Sequence, residues 1–214
     1  MKVVLLHAFP LDERMWEPQR DALAGHDMFA PNLYDLGGNS VEHWASAVLE
    51  TVDDDIAAVG ASVGGYVALA MARSDPARVR GLLLAGARAG ADSPERRAAR
   101  DEGIRTLREE GIEAWAPAAP APPPPQRTVE ELVRTLEALR DRPDATDVAA
   151  SFDGPLWVAV GDRDPFLPVD EARGIVAGAR NGRLEVFPDT GHFTNRERPE
   201  RFNQLLQEFL TAVA

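Results

Sequence analysis

Short apolar runs alternate along the chain with segments whose apolar residues recur at helical spacing. The runs predict six strands, at residues 2–7, 28–30, 56–59, 81–85, 156–160 and 184–187. Between and after them, helices are predicted at residues 15–24, 41–51, 64–73, 169–178 and 199–214. This alternation is typical of an α/β protein with a mostly parallel sheet and helices on both faces.

One long segment interrupts the alternation, and it divides the chain into a core of residues 1–88 and 152–214 and an insertion of residues 89–151. Two helices are predicted in the insertion, a charged one from about Pro94 to Glu110 and a second at residues 128–140. The proline-rich residues 116–125 between them predict a polyproline-like or irregular connection. We expect the insertion to form a small helical cap over the sheet, with a plain connecting spacer as the alternative.

Composition narrows the class of protein. A chain of 214 residues is long enough for one sizeable core. Its net charge of −12 disfavours nucleic acid and anionic membrane surfaces as partners. The absence of cysteine excludes disulfides, thiolate metal sites and thiol nucleophiles. No apolar run approaches the ~20 residues of a membrane span, and the first strand has no cleavage site. We therefore expect a cytoplasmic protein without metal or other cofactor.

The segment Gly60-Ala61-Ser62-Val63-Gly64 lies where a buried strand turns into a helix. A turn this tight forces its central residue into a strained conformation and holds the serine side chain clear of the sheet. Small neighbours are needed because a Cβ at the flanking positions would collide with the adjoining strand or helix. Since such a match also arises by chance, its context decides whether Ser62 is a nucleophile.

A serine hydroxyl needs a base to remove its proton and a third group to orient that base. In hydrolases with a strand-turn-helix serine, the partners follow in the order serine, acid, histidine. His192 is the one histidine after Ser62 in the sequence, which predicts it as the base. Asp162 and Asp164 compete for the acid. We favour Asp164, which lies deeper in its turn, and expect Asp162 to bond its own backbone.

Backbone N–H groups are expected to receive the negative charge that develops on the substrate oxygen. Val63 follows the nucleophile at a helix start, where the helix dipole also helps. Phe9 is the second candidate, because it lies in the loop after the first strand and the following Pro10 has no N–H. His7 is expected to bond the backbone of this loop, a catalytic role being the alternative.

With these residues in hand, the chain resembles the α/β-hydrolase family. The landmarks follow in family order and span nearly the whole chain: Leu5-Leu6-His7-Ala8-Phe9-Pro10, Met15-Trp16, Asp35-Leu36-Gly37-Gly38-Asn39-Ser40, the Ser62 turn, Gly161-Asp162-Arg163-Asp164 and Gly191-His192-Phe193. Within the family, Ala87 to Glu95 resembles the entry to the cap in the 3-oxoadipate enol-lactonase-like group, which stands beside carboxylesterases.

The chain departs from the family pattern at two places. Family members usually carry a β-hairpin before the strand that starts here at Lys2, so we expect a shortened sheet with an edge that needs protection. Two copies pairing along that edge would form a homodimer. Ala8 stands where a glycine is usual, and an alanine would be unfavourable there if the position requires a positive φ.

The resemblance implies a serine hydrolase that cleaves a carboxylic ester or lactone of a small molecule through an acyl-enzyme on Ser62, without a cofactor. The same residues leave open a carbon–carbon bond hydrolase, a cofactor-free perhydrolase and a non-catalytic ligand-binding protein. We expect Trp115 and Leu136 to form an apolar wall of the substrate pocket, plain packing being the alternative.

Overall fold

The computed structural model describes residues 1–124 and 126–214, so that Pro125, the last residue of the predicted polyproline-like stretch, lies outside the described residues. The strands are β1 (Lys2–Leu6), β2 (Met28–Phe29), β3 (Ile56–Ala61), β4 (Val79–Ala85), β5 (Pro155–Gly161) and β6 (Asn181–Phe187). The six strands predicted from the apolar runs are thereby confirmed. The α/β fold class is confirmed with them.

The strands form one parallel sheet in the order β2-β1-β3-β4-β5-β6. The register aligns Leu6 with Gly60 and Ala61 with Ala85, so the loops after the strands leave from one edge. The chain moves outward from β1 to β2 on one side and from β3 to β4 on the other. This reversal opens a crevice beyond the carboxyl ends of β1 and β3, the usual place for a ligand in an open α/β sheet.

The helices in the described residues are α1 (Val41–Thr51), α2 (Val63–Ser74), α3 (Pro94–Glu110), α4 (Ile112–Trp115), α5 (Val129–Asp141), α6 (Thr146–Ser151), α7 (Val169–Gly178), α8 (Thr194–Glu197) and α9 (Pro199–Val213). The longer ones confirm the predictions to within two residues. Their starts are fixed by side-chain caps, such as Ser40 at α1 and the reciprocal pair Thr128 and Glu131 at α5.

One predicted helix is wrong in type. Residues 15–24 do not form an α-helix; the chain makes two short 3₁₀ helices, Glu13–Gln19 and Asp21–Leu23. Pro18 lies inside the first, where it has no N–H to give to a helical hydrogen bond. The apolar residues Met15 and Trp16 are still buried, so the predicted packing is kept while the helix type changes.

Each face of the sheet has its own hydrophobic core. Val4 and Leu6 of β1 point to the face covered by α1 and α2, whereas Val3 and Leu5 point to the face covered by α9. Because successive side chains of a strand alternate in direction, a strand buried on both faces reads as a continuous apolar run. The edge strand β2 is only two residues long, which leaves few unpaired backbone groups exposed.

Residues 89–151 leave the sheet after β4 and return to it at β5. In this insertion α3 and α5 pack together, joined by ion pairs between Arg97 and Asp141 and between Arg108 and Glu137, both at 3.0 Å. The two ends of the insertion meet, since the Ala145 N–H donates to the Ala89 carbonyl at 2.9 Å. Across residues 1–124 and 126–214, no helix is both long enough and apolar enough to cross a membrane.

Candidate active site

Ser62 occupies the sharp turn between β3 and α2. Its backbone has φ 49° and ψ −114°, a conformation that an L-residue rarely adopts and that marks a strained turn. The crowding predicted around it is present. A Cβ on Gly60 would lie 2.3 Å from the Gly64 carbonyl oxygen, and one on Gly64 would lie 2.1 Å from the Leu6 carbonyl oxygen. Both glycines are therefore required for the backbones to approach this closely.

Asp164 and His192 form a buried hydrogen-bonded pair. The distance from His192 Nδ1 to Asp164 Oδ2 is 2.8 Å. The other carboxylate oxygen, Oδ1, accepts the N–H groups of Phe166 at 2.8 Å and Leu167 at 3.2 Å. With the carboxylate fixed by its own loop, the imidazole carries its Nδ1 proton toward Asp164 and leaves Nε2 as a proton acceptor.

The structure distinguishes the two aspartates that competed in the sequence. Asp162 is exposed, and its carboxylate accepts the Thr190 N–H at 3.2 Å in the loop that carries His192. The expectation that it bonds its own turn was therefore incomplete, because its main partners belong to the neighbouring loop. Hydrogen bonds from the N–H groups of Thr190 and Asp189 hold the pKa of Asp162 below its usual value.

The loop that carries His192 is fixed at several points that the sequence did not reveal. Glu197 accepts the N–H groups of Gly191 at 2.7 Å and Phe193 at 2.9 Å. A Cβ on Gly86 would lie 3.0 Å from two atoms of the His192 ring, so the glycine leaves room for the imidazole. The Phe166 ring packs edge-on against the same imidazole, with centroids 4.8 Å apart.

Ser62 and His192 line one cavity of about 610 Å³ at the carboxyl edge of the sheet. Phe9 lines it as well, and the two predicted wall residues, Trp115 and Leu136, contribute from α4 and α5. The rings of Phe9 and Trp115 lie 5.4 Å apart. The insertion and the core therefore share this cavity.

The two predicted oxyanion donors have N–H groups available. Neither the Phe9 nor the Val63 N–H donates to another group in the described part of the chain. Val63 begins α2, so its N–H lies at the positive end of the helix dipole. Among the described non-glycine residues, positive φ values occur at Ser62 and Asp189 and not at Ala8. The alanine in place of the usual glycine is therefore not strained. The Ala8 N–H donates to Met15 Sδ at 3.0 Å.

His7 holds the loop after β1 in shape. Its Nδ1 donates to the Ala8 carbonyl at 3.1 Å, and its Nε2 accepts the Leu33 N–H at 2.9 Å. The prediction that His7 bonds loop backbone is confirmed. Burial lowers the pKa of His7 to about 4, so the ring stays neutral near pH 7.

Because of this burial, His7 is expected to make stability depend on pH. The unfolded chain takes up a proton at His7 near pH 6.5, whereas the folded chain does so only near pH 4. The stabilisation is therefore complete above pH 6.5 and is lost as the pH falls toward 4, by about 3 kcal/mol. Urea unfolding at pH 7 and pH 4.5 measures this loss. His7→Asn should show a shallower loss, and an equal pH dependence in both proteins would contradict the assignment.

No group of three or more His, Asp or Glu side chains comes together as a metal site within residues 1–124 and 126–214. The polar side chains that line the cavity include Ser62, His192, Arg96, Arg100 and Glu102.

Comparison with known proteins places the chain in a family. The sequence model of the alpha/beta hydrolase family matches residues 3–205. This chain belongs to that family. The resemblance noted in the sequence is thereby confirmed.

Proteins similar to this α/β hydrolase include two esterases and a third hydrolase. A solved thermophilic esterase from Thermogutta terrifontis is 28% identical, with a TM-score of 0.89 over 100% of this chain and 90% of that one. A pimeloyl-[acyl-carrier protein] methyl ester esterase from Aromatoleum aromaticum is 27% identical, over 96% of each chain. A 2-hydroxy-6-oxononadienedioate/2-hydroxy-6-oxononatrienedioate hydrolase from Pseudomonas putida is 30% identical. The matched region covers 74% of this chain and 64% of that enzyme.

Proposed function

We propose that this α/β hydrolase cleaves a carboxylic ester or lactone of a small molecule through an acyl-enzyme on Ser62. The observation that carries the proposal is one cavity lined by Ser62, by His192, which pairs with Asp164 at 2.8 Å, and by Phe9, whose N–H is unengaged. The second unengaged N–H, that of Val63, directly follows Ser62 at the start of α2. The esterases from Thermogutta terrifontis and Aromatoleum aromaticum support it by their similarity.

Each residue has a role in the proposed reaction. His192 Nε2 takes the proton of Ser62 Oγ while the oxygen attacks the substrate carbonyl, and Asp164 stabilises the imidazolium without taking the proton. The N–H groups of Phe9 and Val63 bind the oxyanion of the tetrahedral intermediate. His192 then gives the serine proton to the leaving alkoxide oxygen as its bond to the carbonyl carbon breaks, which leaves the acyl-enzyme on Ser62. Water, deprotonated by His192, releases the acid and restores Ser62.

A second candidate is cleavage of a carbon–carbon bond, which the similarity to the Pseudomonas putida hydrolase favours. The same serine, histidine and aspartate would take part. The two reactions differ in the leaving group, which departs through a carbon atom in carbon–carbon cleavage and through an alkoxide oxygen in ester cleavage.

Turnover of matched substrates separates the two candidates. We expect the purified protein to hydrolyse short-chain 4-nitrophenyl esters and small lactones, followed by nitrophenolate release and by pH-stat titration. A 2-hydroxy-6-oxo-dienoate, followed by loss of its ultraviolet absorbance, should be turned over much more slowly. Rapid turnover of the dienoate with no turnover of any ester or lactone would contradict the proposed reaction and favour the second candidate.

A further inference from the structure

Two arginines on the cavity wall take no part in the proposed chemistry. Arg96 and Arg100 are four residues apart on α3, so they lie on the same side of the helix, and both line the cavity with Ser62 and His192. Glu102 is the one acidic residue among the described lining residues. Its charge is offset by Arg105, whose guanidinium lies 2.5 Å from the Glu102 carboxylate. The cavity wall is therefore cationic at α3.

Arg96 differs from the other arginines of its helix. Arg97, Arg105 and Arg108 each form an ion pair with a carboxylate at 3.0 Å or less. In residues 1–124 and 126–214, no carboxylate lies within ion-pair distance of Arg96. Among the described residues, its guanidinium donates only to the carbonyl of Phe166, at a long 3.3 Å. Four of its five N–H groups are thus free for a ligand.

A second guanidinium, that of Arg88, shares the hydrogen-bond acceptor of Arg96. Arg88 donates to the same Phe166 carbonyl at 3.2 Å, and its charge is offset by Glu171 at 2.6 Å. Burial, together with the positive charge of Arg96, holds the pKa of Arg88 below its usual value. The electrostatic potential at Arg96 is therefore positive, and it favours the binding of an anion there.

Arg100 shares its carboxylate partner with a buried arginine, Arg142. The Asp92 carboxylate lies 3.4 Å from Arg100 Nε, but also 2.9 Å from Arg142 Nη1. Asp92 and Glu171 are thus the two carboxylates among the four guanidinium groups of Arg88, Arg96, Arg100 and Arg142, of which Arg96 and Arg100 line the cavity. In a chain with a net charge of −12, this is a local excess of positive charge. Such an excess is stabilised by an anion in the cavity.

We propose that Arg96, aided by Arg100, binds a carboxylate of the substrate, so that the ester or lactone cleaved at Ser62 belongs to a carboxylate-bearing molecule. The inference rests on the proposed function and deepens it. A planar carboxylate matches the fork of a free guanidinium through two parallel hydrogen bonds. The apolar side chains of Trp115 and Leu136 on the same cavity would contact the carbon chain between the two ends of the substrate.

The test compares two 4-nitrophenyl esters that differ in one terminal group. Mono-4-nitrophenyl adipate carries a carboxylate, and 4-nitrophenyl adipamate carries an uncharged carboxamide of nearly the same shape. We expect the wild-type protein to favour the adipate in kcat/KM. Arg96→Gln should lower kcat/KM for the adipate by about tenfold to a hundredfold, mainly through KM. For the adipamate it should change kcat/KM by no more than about twofold.

Matched variants keep the test specific. Arg97→Gln removes the same charge from the next residue of α3, which faces Asp141, and should leave the preference for the adipate unchanged. Arg96→Lys should restore part of it. Equal kcat/KM for both esters in the wild type, or an equal fall for both in Arg96→Gln, would overturn the proposal, since the latter shows a role through Phe166 alone. No turnover of either ester, with Ser62 unreactive toward a fluorophosphonate, would overturn the proposed function as well.

Discussion

Ser62→Ala is expected to lower kcat for ester hydrolysis by about 10⁵-fold or more. The substitution removes Oγ, the atom that forms the acyl-enzyme, while the cavity, the Asp164–His192 pair and the two oxyanion amides remain. The remaining rate should therefore come from binding and from the amides alone. Steady-state turnover of 4-nitrophenyl acetate measures the loss, and circular dichroism with urea unfolding shows whether the fold is kept.

The matched control is Ser46→Ala, which removes a hydroxyl from the exposed face of α1. Its turnover should equal that of the wild type. Undiminished turnover by Ser62→Ala would show that another group carries the reaction, and would refute the assignment of the nucleophile.

Asp164→Asn is expected to lower kcat by about 10⁴-fold. The Asp164 carboxylate accepts a hydrogen bond from His192 Nδ1 at 2.8 Å and is held in place by two backbone N–H groups. Because the two backbone N–H groups require an acceptor, the asparagine oxygen takes their side and its NH₂ group faces His192. The imidazole then loses both its charge partner and the tautomer that accepts the serine proton.

Asp162→Asn is the control for this variant, because it makes the same change two residues away in the same loop. Asp162 bonds the Thr190 N–H and does not reach His192 as Asp164 does. Its loss should weaken the loop and lower kcat by about tenfold at most. A larger effect in Asp162→Asn than in Asp164→Asn would reverse the choice between the two aspartates.

The sheet and the positions of Ser62, Asp164 and His192 could be predicted because their signals are local in the sequence. Strands buried on both faces read as apolar runs, and the glycines around Ser62 mark a turn that other residues would block. The order of serine, acid and histidine along the chain then singled out His192. The parallel register brings the ends of β3, β5 and β6 to one edge, so these loops converge.

Other features depend on contacts between distant segments and left no local signal. Asp162 was expected to bond its own turn because nothing in the sequence shows that Thr190 lies beside it. Gly86 makes room for the His192 ring only in the folded chain. Pro18 did offer a signal, which helical spacing outweighed: a proline there disfavours a continuous α-helix over residues 15–24.

The ion pairing of the α3 arginines also depends on contacts between distant segments. In the sequence its arginines are equivalent members of one charged helix. The packing of α3 against α5 and the loop after β5 pairs Arg97 with Asp141 and leaves Arg96 on the cavity wall, with no carboxylate partner in the part of the chain that the structure describes. The sequence pattern does not show which arginine of α3 is paired with a carboxylate and which is available to a ligand.

If Ser62 is an activated nucleophile, it should react covalently with a fluorophosphonate. The probe should add one phosphonyl group per chain in the wild type and in Ser46→Ala, as measured by intact-protein mass spectrometry, with the modified peptide containing Ser62. Ser62→Ala should remain unmodified, and Asp164→Asn should react much more slowly. A wild-type protein that does not react, or a Ser62→Ala variant that reacts as fast as the wild type, would contradict the account.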